Sequence, residues 1–148
     1  MLKKIISSIE KDHLRTFKCL VKSYGGNLDI VVRCVVVHGR VDMMQYLLLH
    51  THANPGCFNN YAIQFASSYG MERMVGTLCS DFRVDPSVNN NASYRAAVKG
   101  EYIGVCRILL RDTRVQESLR IKDLSTIPYE LVSYVPLQKM IRSSFFRV

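Results

Sequence analysis

The densest grouping of chemically active side chains in this chain is His50-Thr51-His52, with Cys57 just beyond. Two imidazoles at i and i+2 on a turn, joined by a thiolate, would supply three of the four ligands that a structural zinc ion requires. No fourth ligand stands nearby. One sequence period further on, the corresponding places hold Asp81, Arg83 and Val88. The grouping therefore reads as turn histidines facing solvent, with no metal. His38, before Gly39, reads as a surface residue at a helix end. Cys106 beside Arg107 has the composition of an activated thiol, since a neighbouring cation favours the thiolate. Its place inside an apolar helical stretch reads instead as a core cysteine. No P-loop, G-x-G-x-x-G, H-E-x-x-H or G-x-S-x-G pattern occurs, and no paired carboxylates share a helical face in an apolar setting. The expectation is a protein without catalysis, cofactor or metal.

What must position any functional residue is a repeat. Ala53-Asn54-Pro55-Gly56 stands 31 residues before Val84-Asp85-Pro86-Ser87, and Val115-Gln116-Glu117-Ser118 follows after another 31. Leu47, Leu78 and Leu109 obey the same shift, as do Met43, Met74 and Val105. Asp81 and Asp112 match, as do Arg83 and Arg114, and Gly39 and Gly70; Gly100 falls one place early. A period in this range marks stacked supersecondary units.

One unit is legible in detail. Asn59 and Asn60 stand before "YAIQFASSYG" and are expected to cap that helix, because an asparagine oxygen accepts from the free N–H groups of a first turn. Ile63, Ala66 and Ser67 share a face, and Gly70 ends the helix. Met74, Val75 and Leu78 give "ERMVGTLC" an amphipathic face, and Pro86 turns the chain back. The same template fits "DIVVRCVVVHG" with "VDMMQYLLLH", and "NASYRAAVKG" with "EYIGVCRILLRD". A shortened first unit has Leu14, Phe17, Leu20 and Val21 inside. Propensity alone would make "IVVRCVVV" a strand; its place in the period predicts a buried helix.

The chain of 148 residues is 48% hydrophobic and has no tryptophan. That is enough for one domain, expected over 1–148 with units at 2–27, 28–58, 59–89 and 90–118 and a C-terminal cap at 119–148. Its longest apolar run, Ile30 to Val37, is interrupted by Arg33 and is far too short to span a bilayer. "MLKKIISSIEKD" lacks the apolar core and cleavage site of a secretory leader. The five cysteines are odd in number and scattered; Cys19, Cys79 and Cys106 sit in apolar helical stretches, as in a disulfide-free intracellular protein. The net charge of +8 sits at the ends, with +4 over 1–27, zero over 28–58, −1 over 59–89 and +5 over 90–148. Basic ends steer acidic partners or nucleic acid, and equally keep a repeat array solvated. The basic residues are not interleaved with aromatics as single-strand binders require, which argues against nucleic acid.

"LLLHTHANPG" resembles the ankyrin-repeat passage in which leucines lead into a Gly-Ala-Asp-Pro-Asn turn, and "AIQFASSYG" and "GRVDMMQYLLL" resemble its two helices. The dialect is similar to the "RVDPS…NN" ankyrin variants of protists and large DNA viruses, over residues 2–118. The chain departs from that family in lacking its Thr-Pro-Leu-His opening, with Tyr61-Ala62-Ile63-Gln64 in its place. Its period of 31 is also shorter than the usual 33 or so, which shortens the projecting hairpin. The resemblance implies an all-α solenoid of stacked helix-turn-helix repeats that binds a partner protein through its concave face and hairpin tips. Carried over by position, the partner-binding residues are Val37, His38, Phe58, Ser68, Tyr69, Val88 and Lys99. It places the chain in the cytoplasm, or in a host cytoplasm or virion for a viral chain, as a monomer or as part of a larger complex. A structural subunit of a large assembly is the alternative role.

The tail leaves the period. Ser125-Thr126-Ile127-Pro128 would start a helix with Leu131, Val132 and Val135 as its apolar face, and Leu137, Met140, Ile141 and Phe145 suggest a second. An atypical terminal pair capping the stack is the plain reading. "IPYELVSYV" also resembles the Leu-Pro-x-x-Leu-x-x-Tyr-Leu end of a SOCS box, which would imply a ubiquitin-ligase substrate receptor. "VCRILLR" resembles the start of such a box but is already accounted for by the period.

Overall fold

The computed structural model describes residues 1–119 and 129–131, and the expected tail helices lie outside these apart from the neighbourhood of Leu131. The described residues are all-helical, without a strand. The helices are α1 (Leu2–Glu10), α2 (Leu14–Lys22), α3 (Asp29–Val37), α4 (Val41–His50), α5 (Cys57–Ser68), α6 (Glu72–Cys79), α7 (Val88–Lys99), α8 (Ile103–Leu109) and α9 (Thr113–Ser118). A 3₁₀ turn at Tyr129–Leu131 lies against α8.

Each odd-numbered helix from α1 to α7 packs on the even-numbered helix that follows it. Odd helices also pack on odd helices and even on even, pair after pair. "IVVRCVVV" is the helix α3, with Val31, Val32, Val35 and Val36 buried. Burial on one helical face outweighs the modest helix penalty of β-branched residues. Leu47, Leu78 and Leu109 are all fully buried, as are Val84 on its turn and Val115 within α9.

Each first helix of a pair ends in the same way. After α3, the Gly39 N–H donates to Val36 C=O (3.0 Å) and the Arg40 N–H to Val35 C=O (3.0 Å). This Schellman closure recurs at Asp12/His13, Gly70/Met71 and Glu101/Tyr102. Its left-handed residue has φ of +64° at Gly39 and +66° at Gly70, but +56° at Asp12 and +58° at Glu101. Gly100, expected to end α7, has φ −86°. The closure keeps its place in the period, and Glu101 occupies the left-handed position one residue later. An L-residue there costs about 1–2 kcal/mol, and glycine returns roughly 0.5–1 of that through the unfolded chain. Glu101→Gly is therefore expected to stabilise the fold by about 0.5–1 kcal/mol. A urea midpoint no higher than the parent's would show that Glu101 carries no strain.

The asparagine runs are not caps of their own helices. Phe58, Asn59 and Asn60 have φ of +52°, +56° and +58°, and Asn89, Asn90 and Asn91 have +54°, +57° and +57°. Each trio is a left-handed turn, so right-handed helix resumes at Tyr61 and Ala92. Asparagine tolerates this region better than most residues. The side chains serve the next unit. Asn60 Oδ1 accepts from the Asp85 N–H (2.8 Å), and buried Asn91 Oδ1 accepts from the Ser118 hydroxyl (2.8 Å).

Arginines add a second set of ties. Arg83 Nη1 donates to Ala53 C=O (2.9 Å) and Nη2 to Leu48 C=O (3.3 Å), while the same guanidinium holds both oxygens of Asp81. Arg114 and Asp112 repeat that ion pair at 2.7 Å. Arg40 ties to the first pair, donating to Ile9 and Glu10 carbonyls and pairing with Asp12 at 3.0 Å.

Candidate functional site

The face built by α3, α5 and α7 carries a column of aromatic residues that runs from the core outward. Tyr61, Phe65 and Tyr69 stand at i, i+4 and i+8 along α5 and its end, so they form one column on the helix. Phe65 and Tyr69 ring centroids lie 4.5 Å apart and Tyr61 and Phe65 5.6 Å, each pair tilted by 31°. Tyr61 and Phe65 are half-buried against the core, whereas Tyr69 is 62% exposed. From α3 the Arg33 guanidinium lies over the Tyr61 ring, 5.1 Å from its centroid. Ile30, one period before Tyr61, is 46% exposed.

The residues expected to bind a partner fall largely on this side. Val37, His38, Ser68, Tyr69 and Lys99 are exposed at the ends of α3, α5 and α7. His38 Nδ1 bonds to Cys34 C=O (2.9 Å), and the Ser68 hydroxyl donates to Phe65 C=O (2.8 Å). Phe58 is 55% exposed and begins the left-handed turn before Tyr61. Val88, one period after Cys57 and the first residue of α7, is only half-buried. Tyr61, Phe65 and Arg33 were absent from the sequence-based set. Their i, i+4, i+8 aromatic spacing was the available signal, but apolar periodicity on a helix ordinarily marks an inward face. The separation of cations from aromatics expected from sequence also fails in space, since Lys18 lies 5.3 Å from the Tyr46 ring centroid as well as Arg33 over Tyr61.

The side chains of the zinc-like grouping diverge. The Cys57 thiol is buried toward Asp29 C=O (3.8 Å), while His50 leaves against the Tyr46 ring (4.9 Å). Among the described residues no three His, Cys, Asp or Glu side chains gather around one point. Burial pushes the Cys57 and Cys106 thiols up to about 11 and the Cys79 thiol to about 12, so they hold little thiolate at neutral pH. Cys106 is fully buried in α8, as the core reading of it requires.

On the other side, a groove of about 670 Å³ runs between α4 and α6, where Gly76 and Thr77 leave room beside Leu48 and Leu49. No helix of the described residues is long and apolar enough to cross a membrane. Comparison with family models, curated proteins and solved structures finds no match to this chain.

Proposed function

We propose that this chain is a non-catalytic protein-binding scaffold, an α-solenoid of ankyrin-type helix pairs that grips a partner protein through the α3, α5 and α7 face and the turns beside it. The observation that carries the reading is Phe58. A bulky aromatic residue is held in left-handed backbone, half-exposed, where the next unit uses Asn89. Nothing in the packing requires a phenyl ring there, and the conformation is costly for it. Retained local strain at an exposed aromatic position is a mark of use, because such residues anchor interfaces. Tyr69 has the same freedom: the frame beneath it is fixed by Phe65, and its own ring faces solvent. The raised thiols and the divergent histidines favour binding over chemistry.

Two substitutions test this. Phe58→Asn is expected to raise stability by about 0.5–1 kcal/mol, through relief of the left-handed strain. Tyr69→Ala is expected to leave thermal unfolding nearly unchanged. Both are expected to weaken capture of the partner by more than about 1 kcal/mol. Cross-linking from photoreactive residues at Phe58 and Tyr69, in extracts of the native source, identifies the protein whose binding is then measured. A Tyr69→Ala chain that binds like the parent and melts at lower temperature would make Tyr69 a packing residue and remove this face from consideration.

A further inference from the structure

Resting on that reading, we infer that the partner's anchor at Phe58 is an arginine, whose guanidinium is received by the Phe58 ring and the Phe58 carbonyl beside Asp29. One position of the repeat carries the argument. Arg33, Gln64 and Arg95 stand 31 residues apart. On α7 the Arg95 guanidinium reaches back over the left-handed turn and donates to the carbonyls of Asn90 (2.5 Å) and Asn89 (3.2 Å). The turn thus presents a carbonyl pair that takes a planar, forked cation. On α5 the neutral Gln64 stands in the same place. Its Nε2 donates to the Asn59 carbonyl (2.6 Å), the counterpart of Asn90, and its Oε1 accepts from the Asn89 side chain (3.4 Å). Among the described residues no side chain donates to the Phe58 carbonyl, the counterpart of Asn89. Arg33 does not fill that gap, since its guanidinium lies over Tyr61 and bonds to neither carbonyl.

The unit that lacks the guanidinium is also the one that gains a ring. Phe58 stands where the next unit has Asn89, is 55% exposed, and meets no other ring or cation among the described residues. A guanidinium stacks on such a ring, as Arg33 already does on Tyr61. Charge of the required sign stands beside it. The Cys57 thiol, one residue before Phe58, lies 3.8 Å from the Asp29 carbonyl. Burial first and the Asp29 charge second push that thiol up to about 11, which places the carboxylate near the turn. Asp29 joins none of the ion pairs of the described residues, which are Arg40–Asp12, Arg83–Asp81 and Arg114–Asp112. A ring, a carbonyl oxygen and an unpaired carboxylate attract a cation and repel the phosphates of a nucleic acid strand or the side chains of an acidic peptide. The forked geometry that Arg95 shows selects guanidinium over the point charge of a lysine.

The probe is the peptide acetyl-Gly-Arg-Gly-amide, titrated into the whole chain and followed by the amide shifts in two-dimensional NMR. Saturable shifts are expected at Phe58, Asn59 and Tyr61. Citrulline in place of the arginine keeps the shape, loses the charge, and is expected to bind about tenfold more weakly. Gln64→Arg is expected to weaken the arginine peptide about tenfold, because the chain then supplies the guanidinium itself as it does at Arg95. Phe58→Asn is expected to do the same, and Asp29→Asn to cost about threefold. Glu72→Gln, on α6, is expected to leave affinity unchanged, and circular dichroism checks that each variant is folded. Four results overturn the inference: no saturable shift, equal affinity for the citrulline peptide, parent-like affinity in Gln64→Arg, or the same shifts from acetyl-Gly-Glu-Gly-amide. If the partner identified by cross-linking is lost in Phe58→Asn yet binds Gln64→Arg like the parent, the arginine anchor fails while the binding face stands. If it binds both variants like the parent, both fail.

Discussion

Leu78→Ala is expected to destabilise the fold by about 2–5 kcal/mol, the range for truncating a buried leucine. Leu78 is fully buried on α6, a helix packed on α4, α5 and α8 at once. Its periodic equivalents Leu47 and Leu109 are also fully buried. A cavity there is bounded by helices held from both sides, so it cannot collapse readily, and unrelaxed cavities give the larger costs. Urea unfolding at neutral pH measures the loss. A midpoint within error of the parent's would mean that Leu78 is not held by its neighbours and that the register of the pairs is wrong.

Arg83→Met is expected to cost about 2–3 kcal/mol, the scale of charge-assisted hydrogen bonds lost together with a stranded partner. The substitution keeps much of the apolar stem. It removes the bonds to Ala53 and Leu48 carbonyls and leaves Asp81, whose side chain is 11% exposed, without its cation. The same pair sets an acid dependence. The hydrogen bonds from Arg83 hold the Asp81 carboxyl below the usual carboxylate range, and those from Arg114 do so for Asp112. A carboxyl depressed in the folded state stabilises fully above its unfolded value of about 4. That stability is lost as pH falls through the lower, folded value. Acidification from neutral pH to about 3 is therefore expected to weaken the parent more than Arg83→Met, since the variant has already lost the Asp81 contribution. Equal losses in the two proteins would show that the pair does not couple to folding.

Much of the frame is written in the chain. The recurrence of Leu47, Leu78 and Leu109 is a statement about one-dimensional spacing, and it sufficed to predict helix pairs and to make "IVVRCVVV" a helix against its strand propensity. Gly39 and Gly70 could be read as helix ends because the left-handed position makes a demand on that residue alone. The asparagines could not be read so. A side-chain oxygen that could cap its own helix could equally bind elsewhere, and only the fold brings the Asp85 N–H to Asn60, 25 residues away. Likewise the chain offers Gly100, but the pairing of α7 with α8 keeps the closure in register and puts Glu101 in the left-handed place. The column of Tyr61, Phe65 and Tyr69 was spaced as plainly as any core face, yet which face of α5 looks outward is set by where α3, α6 and α7 pack. Local spacing fixes which residues share a side of a helix; the neighbours that cover one side and leave another to solvent exist only in the folded chain.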